Sequence, residues 1–300
     1  MPNAMMSLLV AMGWAACIPI GLHVRTQVRT TTLKSAWRWG AAAWFVWMAA
    51  SAASALGPSM TNGLRDQVWY AAAVLLLCPP ISILGARRPG SQWWSGFIVA
   101  PLLCVMGWPA GDAWRSGVPV DSLVVDAPVV IGYAFVLVMG LGNYFGTGFT
   151  FPAVLVAVSG LLNMSCFLAD RPGWLPSPDR NRMLACGGLI VATCWAAFVT
   201  RRHLDSRAPL ERVWFDFRDT FGIVWARRVQ ERFNETAHHH GWPAHLSPFG
   251  FVTETGQPVD WSRLDANTVT AMQIWVRWLL RRFVDPEWID RRCEEITGDR

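Results

Sequence analysis

Residues 123–145 read LVVDAPVVIGYAFVLVMGLGNYF, and the next apolar stretch, FTFPAVLVAVSGLLNMSCFLA, fills residues 149–169. A helix needs about 20 mostly apolar residues to cross a hydrocarbon core roughly 30 Å thick. Both stretches are long enough, and Gly146-Thr147-Gly148 between them leaves room only for a tight turn. This pair therefore predicts a hairpin of two membrane-spanning helices, and that hairpin decides the fold class.

Similar apolar stretches occupy most of the chain before residue 200. Seven spans are predicted, at 5–22, 37–57, 67–86, 92–110, 123–145, 149–169 and 183–200. No basic residue precedes the first stretch, so we interpret it as an uncleaved helix rather than a signal peptide. The sequence thus predicts an all-α integral membrane protein, with a transmembrane domain over 1–200 and a small, mainly helical domain over 201–300.

Charged residues are distributed unevenly between the predicted loops. Two loops on one side hold only basic residues, namely Arg25, Arg29, Lys34, Arg38, Arg87 and Arg88. The loops on the other side mix arginines with aspartates. Because cytoplasmic loops carry an excess of Lys and Arg, this pattern predicts an external N-terminus and a cytoplasmic tail. Such a protein is typical of the bacterial cytoplasmic membrane.

The net charge of +5 indicates topology rather than a ligand. Residues 1–200 hold eleven basic and six acidic side chains, whereas the fifteen arginines of residues 201–300 are balanced by fifteen acids. A neutral tail disfavours nucleic acid, because nucleic-acid binding depends on neutralising phosphates with unopposed positive charge. The expected partners are therefore the lipid bilayer, a protein bound to the tail and, as an open alternative, a second copy of the chain.

The tail has an amphipathic pattern. From about 209 to 236, apolar residues recur at helical spacing and include Trp214, Phe217, Phe221 and Trp225. A short hairpin around residues 251–253 and two further helices, after residues 265 and 285, are expected to follow. The pattern predicts that the four aromatic side chains dock a partner protein. The alternative is that they form the core of the tail itself.

Polar residues near the membrane offer a few candidate ligand sites. Asn143, Tyr144 and Thr147 could coordinate a polar ligand, or they could simply build the tight turn of the hairpin. Asp126, before Ala127-Pro128, is either a cation or proton site or the N-cap of the fifth span. We favour the turn and the cap, since both follow directly from the local sequence.

Two prolines interrupt the third predicted span. Pro79-Pro80 removes backbone hydrogen bonds, so this helix is expected to kink. A kink can act as a hinge in a transporter, or it can be a static packing feature, which is the interpretation that we favour.

Histidines supply the one metal-like cluster of the sequence. His238, His239 and His240 are consecutive, and His245 lies nearby. Neighbouring residues of a helix point in different directions, so three consecutive histidines cannot all reach one ion from a regular helix. A solvated helix end is therefore favoured, with His238, His240 and His245 kept as weak metal candidates. No nucleotide, hydrolase or kinase motif is present, and no catalytic residue or cofactor is predicted.

These observations favour a non-catalytic membrane protein over an enzyme. The leading hypothesis is a subunit of a membrane complex whose cytoplasmic tail docks a partner protein. The alternative is a transporter or permease subunit for an unidentified solute, motivated by the kink and by the Gly-rich turn. Such a pathway would expose polar residues such as Asn143, Ser159 and Asn163 to one continuous cavity.

Overall fold

The computed structural model describes residues 2–55, 61–87, 91–115, 123–202 and 208–294. These residues are mostly helical, and the sheet that they contain has two strands. The helices up to residue 202 form a bundle. Those from residue 209 onward form, with the two strands, a tail that packs on one end of the bundle.

Eight helices make up the described part of the bundle. They are α1 (Pro2–Val28), α2 (Lys34–Ala55), α3 (Asn62–Leu76), α4 (Cys78–Leu84), α5 (Ser91–Arg115), α6 (Ala127–Gly142), α7 (Thr150–Met164) and α8 (Pro178–Arg202). Because only Leu77 separates α3 from α4, these two helices form one rod and the bundle has seven rods. We call the end with the α1–α2 and α6–α7 turns the tail end, and the opposite end the far end.

Five rods within the described ranges are long and apolar enough to cross a membrane. They contain Leu9–Val28, Asn62–Leu84, Gly96–Arg115, Thr150–Phe167 and Pro178–Thr200. The other two rods differ from them in composition or length. Helix α2 has 22 residues but includes four tryptophans and two basic residues, which lower its mean hydropathy. Helix α6 is apolar but only 16 residues long. Length and composition thus support five spans where the sequence predicted seven.

Apolar side chains cover the outside of the bundle. Large exposed side chains include Phe45, Phe97, Ile131 and Phe135, each at least 60% exposed. A soluble monomer rarely exposes so extended an apolar surface, whereas lipid tails accept it without cost. The exposed faces and the five apolar rods together indicate a membrane protein.

The break in the third rod follows from its two prolines. Pro79 and Pro80 have no N–H, so the carbonyls of Leu75 and Leu76 lose their usual helical donors. The helix is interrupted at Leu77 and resumes at Cys78. Pro80 is buried, and a Cβ on Gly140 of α6 would lie 2.9 Å from the Pro80 Cβ. The break therefore packs tightly against its neighbour.

Helix α6 begins later than the predicted span. Asp126 is extended, and Val125 forms an isolated bridge with Leu168 while its N–H donates to the carbonyl of Phe167 at 2.8 Å. Asp126 occupies the N-cap position, with Pro128 in the first turn, but its side chain makes no capping hydrogen bond. The helix thus begins at Ala127 rather than at residue 123, in agreement with the interpretation of Asp126 as the N-cap, and the bridge at Val125 holds the preceding residues.

The tail has four helices in its described part, α9 (Pro209–Phe221), α10 (Ile223–His240), α11 (Ala266–Leu280) and α12 (Pro286–Glu294). The prediction of one helix over 209–236 is wrong, because Gly222 adopts φ +80° and separates α9 from α10. A hairpin of β1 (His245–Ser247) and β2 (Gly250–Val252) follows, with Leu246 paired to Phe251.

The core of the tail is aromatic and includes residues of the bundle. The Phe283 ring lies between 5.1 and 5.4 Å from the rings of Phe217, Phe221 and Trp225, measured between centroids. Leu33 and Ala86, from the tail end of the bundle, belong to the same buried cluster. Each buried side chain of this size stabilises the fold by roughly 1.5–3 kcal/mol. The tail and the bundle are therefore joined through a shared core.

Candidate functional site: the junction between bundle and tail

Asn143 holds the corner between α9 and α10 with three hydrogen bonds. Its Nδ2 donates to the carbonyl of Phe221 at 3.0 Å, and its Oδ1 accepts from the N–H of Val224 at 2.9 Å. Its backbone carbonyl accepts from the N–H of Ile223 at 2.8 Å. The residue is 2% exposed, so these bonds form away from water, where an unpaired amide would be costly.

Gly222 makes this close approach feasible. A Cβ at this position would lie 2.1 Å from Asn143 Nδ2 and 2.6 Å from the Asn143 carbonyl oxygen. Its positive φ also favours glycine. The corner therefore requires glycine for two independent reasons, space and backbone conformation. We call Asn143 and residues 221–224 the Asn143 bracket.

Tyr144 and Thr147 are used within the same turn. The Tyr144 hydroxyl donates to the carbonyl of Thr220 at 3.4 Å, a long bond that reaches α9. The Thr147 hydroxyl donates to the carbonyl of Tyr144 at 2.7 Å and accepts from the N–H of Phe149 at 3.1 Å. The polar atoms that the sequence proposed for a ligand are thus brought together, and in this structure they bond to the chain itself.

Further contacts tie the tail to the bundle. The Trp225 indole N–H donates to the carbonyl of Ile83 in α4 at 3.0 Å. Thr31, in the α1–α2 turn, forms an isolated antiparallel bridge with Val284 of the tail. Within the bundle, the Thr32 hydroxyl donates to the carbonyl of Ala86 at 2.7 Å and joins that turn to the end of α4. The tail therefore contacts several of the loops and helix ends at the tail end of the bundle.

The four aromatic residues predicted to dock a partner lie inside the chain. Trp214 and Trp225 are 3% and 6% exposed, and Phe217 and Phe221 are fully buried. The Trp214 indole also donates to the carbonyl of Ser247 in the hairpin at 3.0 Å. A partner could reach these rings only by displacing the core of the tail. In this structure their surroundings match the alternative interpretation, in which they form that core.

The histidines are divided between two environments. His238 and His245 line a shallow groove of about 400 Å³ together with Glu254. The His240 ring instead stacks on Trp242, with the centroids 5.5 Å apart. Within the described ranges, no three His, Cys, Asp or Glu side chains are grouped so that they could hold a metal ion.

The far end contains a buried ion pair that the sequence analysis missed. The Arg182 guanidinium lies 2.7 Å from the Asp66 carboxylate, and the two side chains are 5% and 13% exposed. The rings of Trp69 and Phe167 flank the guanidinium at 5.6 and 5.7 Å. The N–H of Leu123 donates to the same carboxylate. The sequence had placed both residues in loops of the same side, yet the pair connects α3 to α8.

Neighbouring amides continue this polar cluster into the bundle. Asn163 Nδ2 donates to the carbonyl of Trp69, and Asn181 Nδ2 donates to Ser165 Oγ, each at 3.0 Å. The Oδ1 atoms of both asparagines and the Tyr133 hydroxyl are buried without a partner among the described residues. Buried polar atoms of this kind usually bind water. The signal in the sequence was the pair Asn181-Arg182 at the start of an apolar stretch.

The arrangement is suited to holding helices together rather than to catalysis. Asn143, Asn163 and the Asp66–Arg182 pair each connect one element of the chain to another. Comparison with known proteins adds no assignment, since no family model, curated protein or solved structure matches this chain.

Proposed function

We propose that the chain is a non-catalytic, multi-spanning subunit of a membrane complex, and that its tail is a docking domain held firmly on the bundle. The observation that carries this proposal is the Asn143 bracket together with the shared aromatic core. These contacts fix the position of the tail, so a partner bound to the tail would be positioned relative to the membrane.

Seven spans, with the N-terminus outside and the tail in the cytoplasm of a bacterium, complete the proposal. The basic loops support this orientation. Interfacial side chains at both ends support the membrane boundaries. At the tail end, the guanidinium carbon of Arg25 lies 5.5 Å from the centroid of the Trp37 ring. At the far end, that of Arg115 lies 5.6 Å from the centroid of the Trp108 ring. Tryptophan and arginine favour the lipid headgroup region in this way.

The docking surface is assigned to the exposed side of the tail, since the aromatic side chains of α9 are buried. Phe249, at the tip of the hairpin, is 84% exposed, and Ile274 on α11 is 63% exposed. Exposed aromatic and aliphatic side chains of this kind are common anchors in protein interfaces. The partner is therefore expected to contact the hairpin.

The alternative, a transporter subunit, has less support. Asn143, Ser159 and Asn163, which a polar pathway would expose, are at most 2% exposed. The Pro79-Pro80 break, which could have acted as a hinge, is packed against Gly140. A solute pathway would require both features to change in another state of the protein.

The test is affinity purification from native membranes with the full-length chain, a version truncated after Arg202, and Phe249→Asp. A stoichiometric partner is expected with the full-length chain and should be lost with both changes. Trp174→Asp, at an 81% exposed position outside the tail, is the matched control and should retain the partner. If the full-length chain is purified alone or only with copies of itself, the complex-subunit proposal fails.

A further inference from the structure

Helix α5 lies at the edge of the bundle with one face uncovered. In the most apolar 18-residue stretch of Gly96–Arg115, only 11% is buried inside the chain, against 56% in that of Asn62–Leu84. The covered face contains Val99 and Met106, and the Met106 carbonyl accepts a hydrogen bond from the Tyr70 hydroxyl at 2.6 Å. The other face has no neighbour within the described part of the chain.

That uncovered face contains a shallow apolar groove of about 350 Å³, lined by Cys104, Gly107, Trp108, Gly111, Asp112 and Arg115 among others. A Cβ at either glycine would meet no atom within 4 Å. Glycine in a helix costs roughly 1 kcal/mol relative to alanine. At both positions the missing side chain leaves room for a helix from outside to approach closely.

Helix α1 contains a similar group of small residues, and there the space is filled. A Cβ on Gly13 would lie 2.6 Å from Cδ1 of Ile190 in α8, and Cys17, one turn further on, is 2% exposed. Small residues allow α1 and α8 to approach closely. The groove of α5 offers the same kind of surface, with Cys104, Gly107 and Gly111 in place of Gly13 and Cys17.

We propose that this groove binds the α5 helix of a second copy of the chain, forming a symmetric dimer. All copies insert in the same direction, so the two α5 helices must run parallel about a twofold axis along the membrane normal. Such an axis brings Asp112 of each copy beside Arg115 of the other.

Charge complementarity favours a second copy over a phospholipid in this groove. Asp112 forms no ion pair with any described residue, and Arg115 contacts the Trp108 ring at 5.6 Å. A twofold contact satisfies both charges twice, because each acid meets a base from the other copy. A lipid phosphate could pair with Arg115, but it would be repelled by Asp112.

The first experiment is cysteine crosslinking of the full-length chain in native membranes. Cys104 lies on the groove and is exposed, and Cys194 on α8 is exposed on a different face. Burial raises the pKa of the Cys293 thiol, which keeps it mainly protonated and slow to react at neutral pH. A dimer band is expected from the wild type and from Cys194→Ser, and Cys104→Ser should abolish it.

Substitutions in the groove test whether the crosslink reports a specific contact. Gly107→Leu and Gly111→Leu fill space that is empty within the described chain, so each variant should fold and yet lower the crosslinked fraction by about tenfold. Gly187→Leu on α8, where a Cβ also meets nothing within 4 Å, is the matched control and should crosslink normally. The amount of membrane-inserted protein shows whether each variant has folded.

Charge reversal distinguishes a second copy from lipid. Asp112→Arg or Arg115→Asp alone should weaken the dimer, and the double exchange Asp112→Arg with Arg115→Asp should restore it. A crosslink that persists in both leucine variants overturns the proposal. The proposal is also overturned if no dimer forms and each chain instead retains one phospholipid that Gly107→Leu removes. Partner capture by the tail is measured separately and is not affected by either result.

Discussion

The two ends of the bundle are held together by different chemistry. At the tail end, the neutral amide of Asn143 and backbone groups hold the α9–α10 corner. At the far end, the charged pair Asp66–Arg182 connects α3 to α8 between two aromatic rings. Losing a neutral hydrogen bond costs less than leaving a buried charge without its partner. The far end should therefore be the more sensitive to single substitutions.

Removing one charge at the far end should have the largest effect. Arg182→Met leaves the Asp66 carboxylate buried without its partner and should lower the free energy of unfolding by about 3–5 kcal/mol. Thermal unfolding in detergent measures the loss. The double variant Arg182→Met with Asp66→Leu should recover most of the stability, because no unpaired charge remains. A single variant as stable as the wild type would show that the pair contributes nothing.

Closing the space at the α9–α10 corner should have the next largest effect. Gly222→Ala adds a Cβ that overlaps Asn143 and imposes a disfavoured φ, with an expected loss of about 3 kcal/mol. Limited proteolysis of the tail in membrane vesicles should become faster. Gly241→Ala is the matched control, since its φ is +63° but a Cβ there meets nothing within 4 Å. Equal effects of the two substitutions would argue against the close contact.

Truncating the amide of the bracket tests its hydrogen bonds directly. Asn143→Ala removes two side-chain bonds to the tail and should cost about 2 kcal/mol, again measured as faster cleavage of the tail. Asn143→Asp keeps the acceptor for the N–H of Val224 but places a buried carboxylate against the carbonyl of Phe221, so its effect should be at least as large. If the tail of the Asn143→Ala variant is cleaved no faster than that of the wild type, the aromatic core alone holds the junction.

The smallest effect is expected at the α1–α2 turn. Thr32→Val removes the hydroxyl that donates to the carbonyl of Ala86 and should lower the free energy of unfolding by about 1 kcal/mol. Thr26→Val, whose hydroxyl bonds to the carbonyl of His23 on the exposed surface, should change it by less than about 0.5 kcal/mol. A larger loss for Thr26→Val than for Thr32→Val would contradict the burial of the junction.

Local features of the fold could be predicted from the sequence because they depend on neighbouring residues. The interruption near Pro79-Pro80 follows from two missing N–H groups. The start of α11 follows from Asp265, whose side chain accepts from the N–H groups of Asn267 and Thr268. The α6–α7 turn follows from its glycines. In each case the deciding interaction spans only a few residues.

Features that depend on distant residues could not be predicted in the same way. Asp66 and Arg182 are 116 positions apart, and each alone resembles an ordinary loop charge. The apolar pattern of α9 indicates burial, but it does not indicate whether the covering surface belongs to a partner or to the chain. Gly222 was missed because the apolar periodicity continues through it, and the residue that lies against it, Asn143, is 79 positions earlier.

The contact between the first turn and the last loop has a consequence for biosynthesis. The N–H of Thr32 donates to the carbonyl of Phe283, and the N–H of Asp285 donates to that of Thr30. The α1–α2 turn is synthesised early in translation, but its partners for these hydrogen bonds become available only when residues 283–285 have left the ribosome. Because contacts between such distant residues form slowly, the junction should be among the last parts of the protein to assemble. Until then, Leu33 and Ala86 at the tail end of the bundle lack the apolar cover that the tail provides.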